Sequence, residues 1–323
     1  MLQLDSGAEI LGSVDAGDYP LVPALPGYGI TRDMPVPKAH LRVRRQALIS
    51  GWDIQGSAIQ GQGTINGQGH VLAADGKSFY TRRATQQYGR PRLVEPMFCR
   101  DFRIEGVQLQ NSAFWTLHPY ACDGVVIRNV NITARGHAAP NSDGIDPDSS
   151  RNVLVEDCFV DVGDDTVAIK SGMDYAGRQF AHPSENILFR NCHFVQNALS
   201  IGSEESGGVR NVTFENIVMG PRHAPYTEGP LIHLKAQRGR GGYIKDIHFR
   251  NITMLGETNQ AMLVSMHYSN NAGPTNKTAT PVFSGIYFEN VDVASAVSPG
   301  GFVGLPESLI ANIHLTEAGF RIL

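Results

Sequence analysis

Hydrophobic and polar residues follow one short pattern seven times along the chain. Each copy is a β-rich run, then a polar residue or glycine, then an apolar residue that serves as the anchor of the copy. The runs are rich in Val, Ile, Phe and Thr and carry no sustained helical stripe, so the pattern predicts strands. The copies are DFRIEGVQL (101–109), GVVIRNVNI (124–132), NVLVEDCFV (152–160), NILFRNCHF (186–194), NVTFENIVM (211–219), DIHFRNITM (246–254) and GIYFENVDV (285–293).

The spacing of the copies predicts the architecture. Successive anchors are 23 to 39 residues apart, which indicates stacked supersecondary units. Short strands in coils of this length suit an all-β, right-handed parallel β-helix, a single-stranded solenoid whose coils stack at about 4.8 Å. A seven-bladed propeller is the alternative, but its blades need about 40 residues each. The anchors are Val107, Val130, Cys158, Cys192, Ile217, Ile252 and Val291.

We therefore predict a single β-helix domain over residues 1–323. A solenoid needs a cap at each end. The first residues, LQLDSGAEILGS, already alternate apolar and polar positions as a strand within a coil would. The sequence thus leads us to expect that N-terminal coils are lacking.

Charge and cysteine content narrow the function classes. The net charge of −4 and the isoelectric point of about 6.2 argue against a nucleic-acid-binding domain. No apolar run approaches the length of a membrane span, and no signal peptide is visible. The four cysteines form no CxxC pair, which disfavours zinc. Cys158 and Cys192 fall on neighbouring anchors, which predicts stacked buried thiols, with a disulfide as the alternative. We expect no nucleic-acid partner and no membrane partner, and we expect the protein to be a monomer.

Acidic residues are concentrated in two neighbouring coils. NSDGIDPDSS (141–150) supplies Asp143, Asp146 and Asp148, and GDDTVAIKSG (163–172) supplies Asp164 and Asp165. Adjacent carboxylates can face one groove only where the backbone is irregular, which Gly163 permits. Clustered carboxylates are costly unless they share protons, bind metal or perform acid–base chemistry.

Other polar residues recur at related distances from their anchors, which predicts a groove across successive coils. A pair or trio of carboxylates in such a groove fits glycoside hydrolysis by an acid and a base. A solvated acidic turn and a calcium site are the alternatives, although the spacing is not that of an EF-hand loop. The groove residues and their offsets are Asp164 and Asp165 (+6 and +7 from Cys158), Asn197 (+5 from Cys192), His233 (+16 from Ile217), Lys235 two residues later, and Tyr268 (+16 from Ile252).

Six segments resemble the polygalacturonase family of glycoside hydrolases (family 28), especially its bacterial exo-acting branch. They are LDSGAEILGSVDAGDYP near the start, IQGQGTINGQG (59–69), NSAFWTLHP (111–119), NSDGIDPDSSRNVLVEDCFVDVGDDTVAIKSG (141–172), IGSEESGGVRNVTFENI (201–217) and KAQRGRGGYIKDIHFRNI (235–252). The resemblance implies a β-helix and an inverting hydrolase of α-linked galacturonic acid residues in pectin-like substrates. It also implies export to the periplasm or medium, and no metal or cofactor.

The resemblance also implies roles for individual residues. Asp164 matches the general acid, and Asp143 and Asp165 match the carboxylates that activate water. Asn141 matches a position that orients the substrate. Lys235 matches the lysine that contacts the uronate at the cleaved residue. Tyr268 is a looser match to a substrate-binding tyrosine.

Two positions depart from the family pattern. Asn197 stands where the family has a histidine, and Asn cannot carry its charge. His233 stands where the family has an arginine that binds a carboxylate of the leaving-group sugar, and a neutral imidazole cannot replace that fork. We therefore expect a neutral leaving group such as rhamnose. A catalytically degenerate carbohydrate-binding β-helix is the main alternative. A β-helical lyase is a further one, distinguished by calcium dependence and an unsaturated product.

Overall fold

The computed structural model describes residues 1–29, 43–82, 89–134, 139–195, 198–222, 229–268 and 279–322. These residues form 24 strands, the helix α1 (Asp174–Phe180) and two short 3-10 turns, Ala16–Asp18 and Pro26–Tyr28. The strands are β1 (Leu2–Leu4), β2 (Glu9–Leu11), β3 (Leu21–Pro23), β4 (Val43–Arg45), β5 (Ile49–Trp52), β6 (Ala58–Gly61), β7 (Thr64–Asn66), β8 (Val94–Met97), β9 (Arg100–Glu105), β10 (Gln108–Gln110), β11 (Asp123–Arg128), β12 (Asn131–Thr133), β13 (Arg151–Glu156), β14 (Phe159–Asp161), β15 (Val167–Ile169), β16 (Ser184–Arg190), β17 (His193–Phe194), β18 (Leu199–Gly202), β19 (Val209–Met219), β20 (Pro230–Lys235), β21 (Tyr243–Ser265), β22 (Val282–Val303), β23 (Ala311–Thr316) and β24 (Gly319–Ile322).

Strands of successive coils pair in parallel and in register. β9, β11, β13, β16, β19, β21, β22 and β23 form one continuous ladder in that order. Ile217 pairs with Ile252, and Ile252 pairs with Val291. The residues that follow the other four anchors pair in the same register. All seven anchors are buried. The all-β, right-handed parallel β-helix predicted from the repeat is therefore confirmed.

Identical residues stack along the interior because each coil repeats the one below it. The rings of Phe189, Phe214, Phe249 and Phe288 lie in a column, with centroids 4.9 to 5.3 Å apart and interplanar angles of 2 to 16°. All four side chains are fully buried. The four cysteines are likewise buried and free, as the thiol prediction for Cys158 and Cys192 required.

An asparagine ladder bends the chain just before each of the last four anchors. Asn191, Asn216, Asn251 and Asn290 each have a positive φ of 53 to 55°, a conformation that asparagine tolerates better than most residues. The side-chain amides of the last three each donate to the side-chain oxygen of the asparagine one coil earlier, at 2.9 to 3.2 Å. The ladder explains why asparagine recurs just before the anchors.

One face of the solenoid is built from a row of short strands. β5 pairs with β8, and β15, β18, β20 and the second half of β21 continue the row, with single bridges between β8 and β15. Residues that alternate with the buried ones along this row point outward, away from the core. The loops that enter this row carry the acidic segments. No helix among the described residues is long and apolar enough to cross a membrane.

The phenylalanine column predicts a large, site-specific loss of stability. Phe214→Ala should lower the free energy of unfolding by about 3–5 kcal/mol, because it removes a fully buried ring that neighbouring coils cannot replace. Denaturant titration of the purified variant measures this. Phe302→Ala is the matched control, since that ring is 41% exposed. Equal losses of unfolding free energy in both variants would show that the buried column contributes no more stability than an exposed ring.

Candidate active site

The two acidic loops are held side by side by backbone hydrogen bonds between coils. The Thr116 amide donates to the carbonyl of Asp143, and the Gly144 amide donates to the carbonyl of Asp165, at 2.8 and 2.9 Å. Asp164 lies in a bend, and its carboxylate accepts a hydrogen bond from the Asp165 amide at 2.9 Å. This irregular backbone brings both adjacent carboxyl groups close to that of Asp143.

The three carboxyl groups form a tight cluster. One oxygen from each of Asp143, Asp164 and Asp165 lies within 4.8 Å of the others. Asp143 and Asp165 are buried, and Asp164 is partly exposed at the groove. We call these three residues the acid trio. Three carboxyl groups this close cannot all ionise at little cost, so they share protons.

Each member of the trio has different hydrogen-bond donors. Asp165 accepts from the Ser200 hydroxyl at 2.8 Å and from the Lys235 ammonium at 2.6 Å. Asp164 accepts from two backbone amides, its second oxygen being 3.0 Å from the Asn141 nitrogen. Asp143 accepts from Lys170 at 3.3 Å through Oδ2.

These surroundings separate the pKa values of the trio. Burial raises the pKa of Asp143 to about 7, with attraction to Lys170 opposing the rise and Asp164 and Asp165 adding to it. Burial and repulsion from Asp165 also raise the pKa of Asp164. Burial alone would raise the pKa of Asp165, but attraction to Lys235 outweighs it and the net pKa is lowered. In mildly acidic solution the trio therefore keeps one charge and at least one proton, as acid–base catalysis needs.

Two of the predicted substrate-binding residues adjoin the trio directly. Asn141 presents its backbone amide to Asp164, while its side-chain oxygen accepts from Arg90 at 2.6 Å. Arg90 is fully buried and also bonds the carbonyl of Pro140. The sequence analysis did not identify Arg90, which lies 51 residues before Asn141. Lys235 contacts Asp165, as described above.

The remaining predicted residues lie further along the groove. The Tyr268 ring centroid is 5.9 Å from the Lys235 ammonium. His233 pairs in register with Ser200, and Lys235 pairs with Gly202. Burial, with repulsion from Lys235, lowers the pKa of His233 to about 4, so its imidazole is neutral near pH 7. Asn197 lies outside the described residues.

Three polar side chains of the strand row form a buried cluster near the N-terminal part of the chain. Glu95, His118 and Asp148 belong to the outward-facing side of the strand row, yet all three are fully buried. Leu25 and Tyr28 pack with Trp115 and Tyr120 in one apolar cluster, and the Tyr28 hydroxyl donates to Asp148. His118 lies between Glu95 and Asp148, with ring nitrogens 3.0 and 3.2 Å from their carboxylates.

The trio is close enough to hold a cation. However, the Lys235 ammonium already contacts Asp165 and the Lys170 ammonium contacts Asp143. Metal ligands must also be deprotonated, and burial favours the protonated form of two of the three carboxyl groups. The donor set fits acid–base chemistry better than a resident metal ion, and the absence of a cofactor stays a prediction.

Comparison with known proteins finds a matching family model and similar proteins. The family model "Glycosyl hydrolases family 28" matches residues 38–299. A probable polygalacturonase of Vitis vinifera is 32% identical over 326 residues, covering 99% of this chain and 62% of that protein. A polygalacturonase of Ralstonia solanacearum is 27% identical, covering 78% of this chain and 52% of that protein. The chain thus spans about half to three fifths of the length of these curated relatives.

Solved structures share the fold. A hyperthermoactive exopolygalacturonase from Thermotoga maritima superimposes with a TM-score of 0.78 at 27% identity, covering 98% of this chain and 74% of that one. A polygalacturonase from Erwinia carotovora ssp. carotovora superimposes with a TM-score of 0.73 over the whole chain and 81% of that one, at 23% identity, a likeness of fold alone.

The raised pKa of Asp164 predicts a pH-dependent effect on stability. The folded state binds the Asp164 proton more tightly than the unfolded state, so ionisation of this carboxyl lowers stability as pH rises above its ordinary value of 3.8. Asp164→Asn should therefore raise the free energy of unfolding more at pH 8 than at pH 4. Denaturant titrations at both pH values measure this, with the exposed Asp5→Asn as control. A gain independent of pH would contradict the assignment.

Proposed function

Since the chain belongs to family 28 of the glycosyl hydrolases, we propose that it hydrolyses α-linked galacturonic acid residues in pectin-like polysaccharides or oligosaccharides. The observation that carries the proposal is the acid trio with the Lys235 ammonium bound to it. A carbohydrate-binding β-helix has no use for three carboxyl groups whose repulsion lowers its stability. The family relatives named above support the same reaction class.

We assign the general acid to Asp164 and water activation to Asp143 and Asp165. Asp164 protonates the glycosidic oxygen, the bond from C1 to that oxygen breaks, and water attacks C1. The proton that the water loses passes to Asp143 in its ionised form, while Asp165 stays charged. A water oxygen at the centre of the trio would lie about 2.8 Å or less from one oxygen of each carboxyl, a normal hydrogen-bond length.

We further propose inversion at the anomeric carbon. The trio is more compact than the roughly 6.5–9.5 Å usual between the carboxyl groups of inverting enzymes. Inversion is nevertheless favoured because both oxygens of Asp165 are held by donors, Ser200 and Lys235. Asp165 therefore offers no free oxygen for attack on carbon, and we assign the remaining carboxylate of the pair, Asp143, to the attacking water.

Substrate binding and exo action follow from the shape and charge of the groove. Lys235 supplies the cation for the carboxylate of the cleaved uronate, with Asn141, Asn197 and Tyr268 as further contacts. We infer that the packing of Leu25 and Tyr28 on Trp115 and Tyr120 closes one end of the substrate groove, so that a chain terminus binds there rather than a continuing chain. We therefore propose that single uronate residues are released from the end of the substrate.

We propose a neutral leaving-group sugar, such as rhamnose. A second uronate next to the cleaved bond would need a cation at the His233 position. Because burial keeps this imidazole neutral near pH 7, it offers no charge to a carboxylate.

The role of Asp164 predicts a response that depends on the leaving group. Asp164→Asn should lower kcat/KM on a natural oligosaccharide by about 100- to 1,000-fold. On an aryl galacturonide whose phenolate leaves without protonation, the loss should be about tenfold or less. Asp165→Asn, in contrast, should lower both activities. Release of galacturonate and of the phenolate measures the two. Equal loss of both activities in Asp164→Asn would refute the assignment of the acid.

The neutral His233 predicts the substrate preference. The protein should cleave galacturonate linked to rhamnose with a higher kcat/KM than digalacturonate. His233→Arg should raise kcat/KM for digalacturonate by about tenfold and leave the neutral substrate within a factor of about three, because the new guanidinium binds a carboxylate. His314→Arg, at an exposed position, is the control. A preference of the unaltered protein for digalacturonate would contradict the proposal.

A further inference from the structure

Lys170 is a buried cation beside the trio that the mechanism above does not use. It directly follows β15 in the row of short strands, and its backbone forms a parallel β-bridge with Asp148 one coil earlier. Its side chain is only 3% exposed. The Trp115 ring covers it, with the ammonium 4.4 Å from the ring centroid. Trp115 is itself buried, so it packs on Lys170 instead of offering a face to sugar.

Three carboxyl groups surround the Lys170 ammonium. Its nitrogen lies 3.3 Å from Asp143, 3.6 Å from Glu204 and 3.8 Å from Asp146. Burial would lower the pKa of Lys170, but the attraction of Asp146 and Asp143 outweighs it and the net pKa is raised. The ammonium is therefore charged throughout the working range of pH. Its burial under Trp115 excludes direct contact with a substrate carboxylate.

The contact with Lys170 leaves Asp143 with two unlike oxygens. Oδ2 accepts from the ammonium, whereas Oδ1 is buried with no hydrogen-bond partner among the described residues. Asp165 differs, because donors hold both of its oxygens. Asp143 is thus the member of the water-activating pair with an oxygen available to accept a proton from water.

Lys170 also governs the charge on Asp143. Burial raises the pKa of this carboxyl to about 7, and Asp164 and Asp165 add repulsion. Lys170 opposes that rise most strongly, and Lys235 opposes it less. Among the described residues, Lys170 is the cation within ion-pair distance of Asp143. Of the two other carboxyl groups at Lys170, Asp146 has a pKa that burial raises well above its ordinary value. The pKa of Glu204 is lowered because the attraction of Lys170 and Arg240 outweighs burial, so Glu204 is the competing anion.

We propose that Lys170 is a positioning residue for the hydrolysis, which binds one oxygen of Asp143, leaves the other free to accept a proton, and favours the ionised carboxylate. This inference rests on the proposed function, because it concerns the base of that reaction. It differs from the role of Lys235, since Lys170 acts on the substrate only through Asp143.

Kinetics of charge-removing and charge-keeping variants test the proposal. Below pH 7 each unit rise in the pKa of Asp143 cuts its ionised fraction about tenfold. Lys170→Met should therefore lower kcat about tenfold or more at pH 6, with KM within a factor of about three. The ratio of wild-type to variant kcat should shrink as pH rises above 7. Lys170→Arg should recover most of the activity, and the exposed Lys245→Met should change nothing. A loss that is the same at every pH would overturn the proposal.

A titration independent of activity separates this proposal from the proposed function. Carboxyl 13C resonances of aspartate-labelled protein, assigned with Asp143→Asn, report the pKa of Asp143 directly. Lys170→Met should raise it by about one pH unit or more, and Glu204→Gln should lower it by releasing Lys170 from a competing anion. A change of opposite sign in two variants cannot arise from partial unfolding. An unchanged pKa in Lys170→Met overturns the proposal even if the protein is active. If the wild type cleaves no substrate, the proposed function fails and the titration still decides the Lys170–Asp143 assignment.

Discussion

Parallel, in-register hydrogen bonding between successive coils is the constraint on which the rest of the structure depends. Strands of one coil must align with those of the next, although the coils differ in length. The extra residues are forced into loops between strands, and two of these loops carry the acid trio. The same register stacks Phe on Phe inside the solenoid and Asn on Asn at its corners. The scaffold is thus regular where the coils repeat, and the chemistry lies in the loops that depart from the repeat.

The site balances charges that would oppose folding if left alone. Three carboxyl groups within 4.8 Å repel one another, and burial disfavours their ionised forms. Lys235 and Lys170 each contact a different carboxylate, and Asp164 receives backbone amides instead of a cation. This unequal distribution of donors separates the pKa values. One carboxyl group stays charged while others keep a proton, which lets a single cluster supply both the acid and the base.

The sequence predicted the repeating part of the molecule and the centre of its site. The anchor positions predicted the register between coils because a single pattern recurs in every coil. The density of acidic residues in two loops identified Asp143, Asp164 and Asp165. Lys235 followed from its motif. The sequence analysis did not identify Arg90, Lys170 or Tyr28. Their contacts with the site depend on the stacking of the coils and on loop paths that no local pattern encodes. Lys170 stands only five residues after Asp165, but its burial under Trp115 depends on how the coils stack. The position of Asn197 lies outside the described residues.

The most direct test of the central claim is to follow the first product from a galacturonate-containing oligosaccharide by proton NMR. The account predicts that monomeric galacturonate appears first, as the β-anomer, and then mutarotates. Monomeric galacturonate as the first product would support release of single residues at the closed end of the groove. The β-anomer would support attack by water on the face opposite the departing sugar. Initial release of the α-anomer would contradict the inverting mechanism. Initial release of longer fragments would contradict the closed end of the groove, and an unsaturated product would contradict hydrolysis.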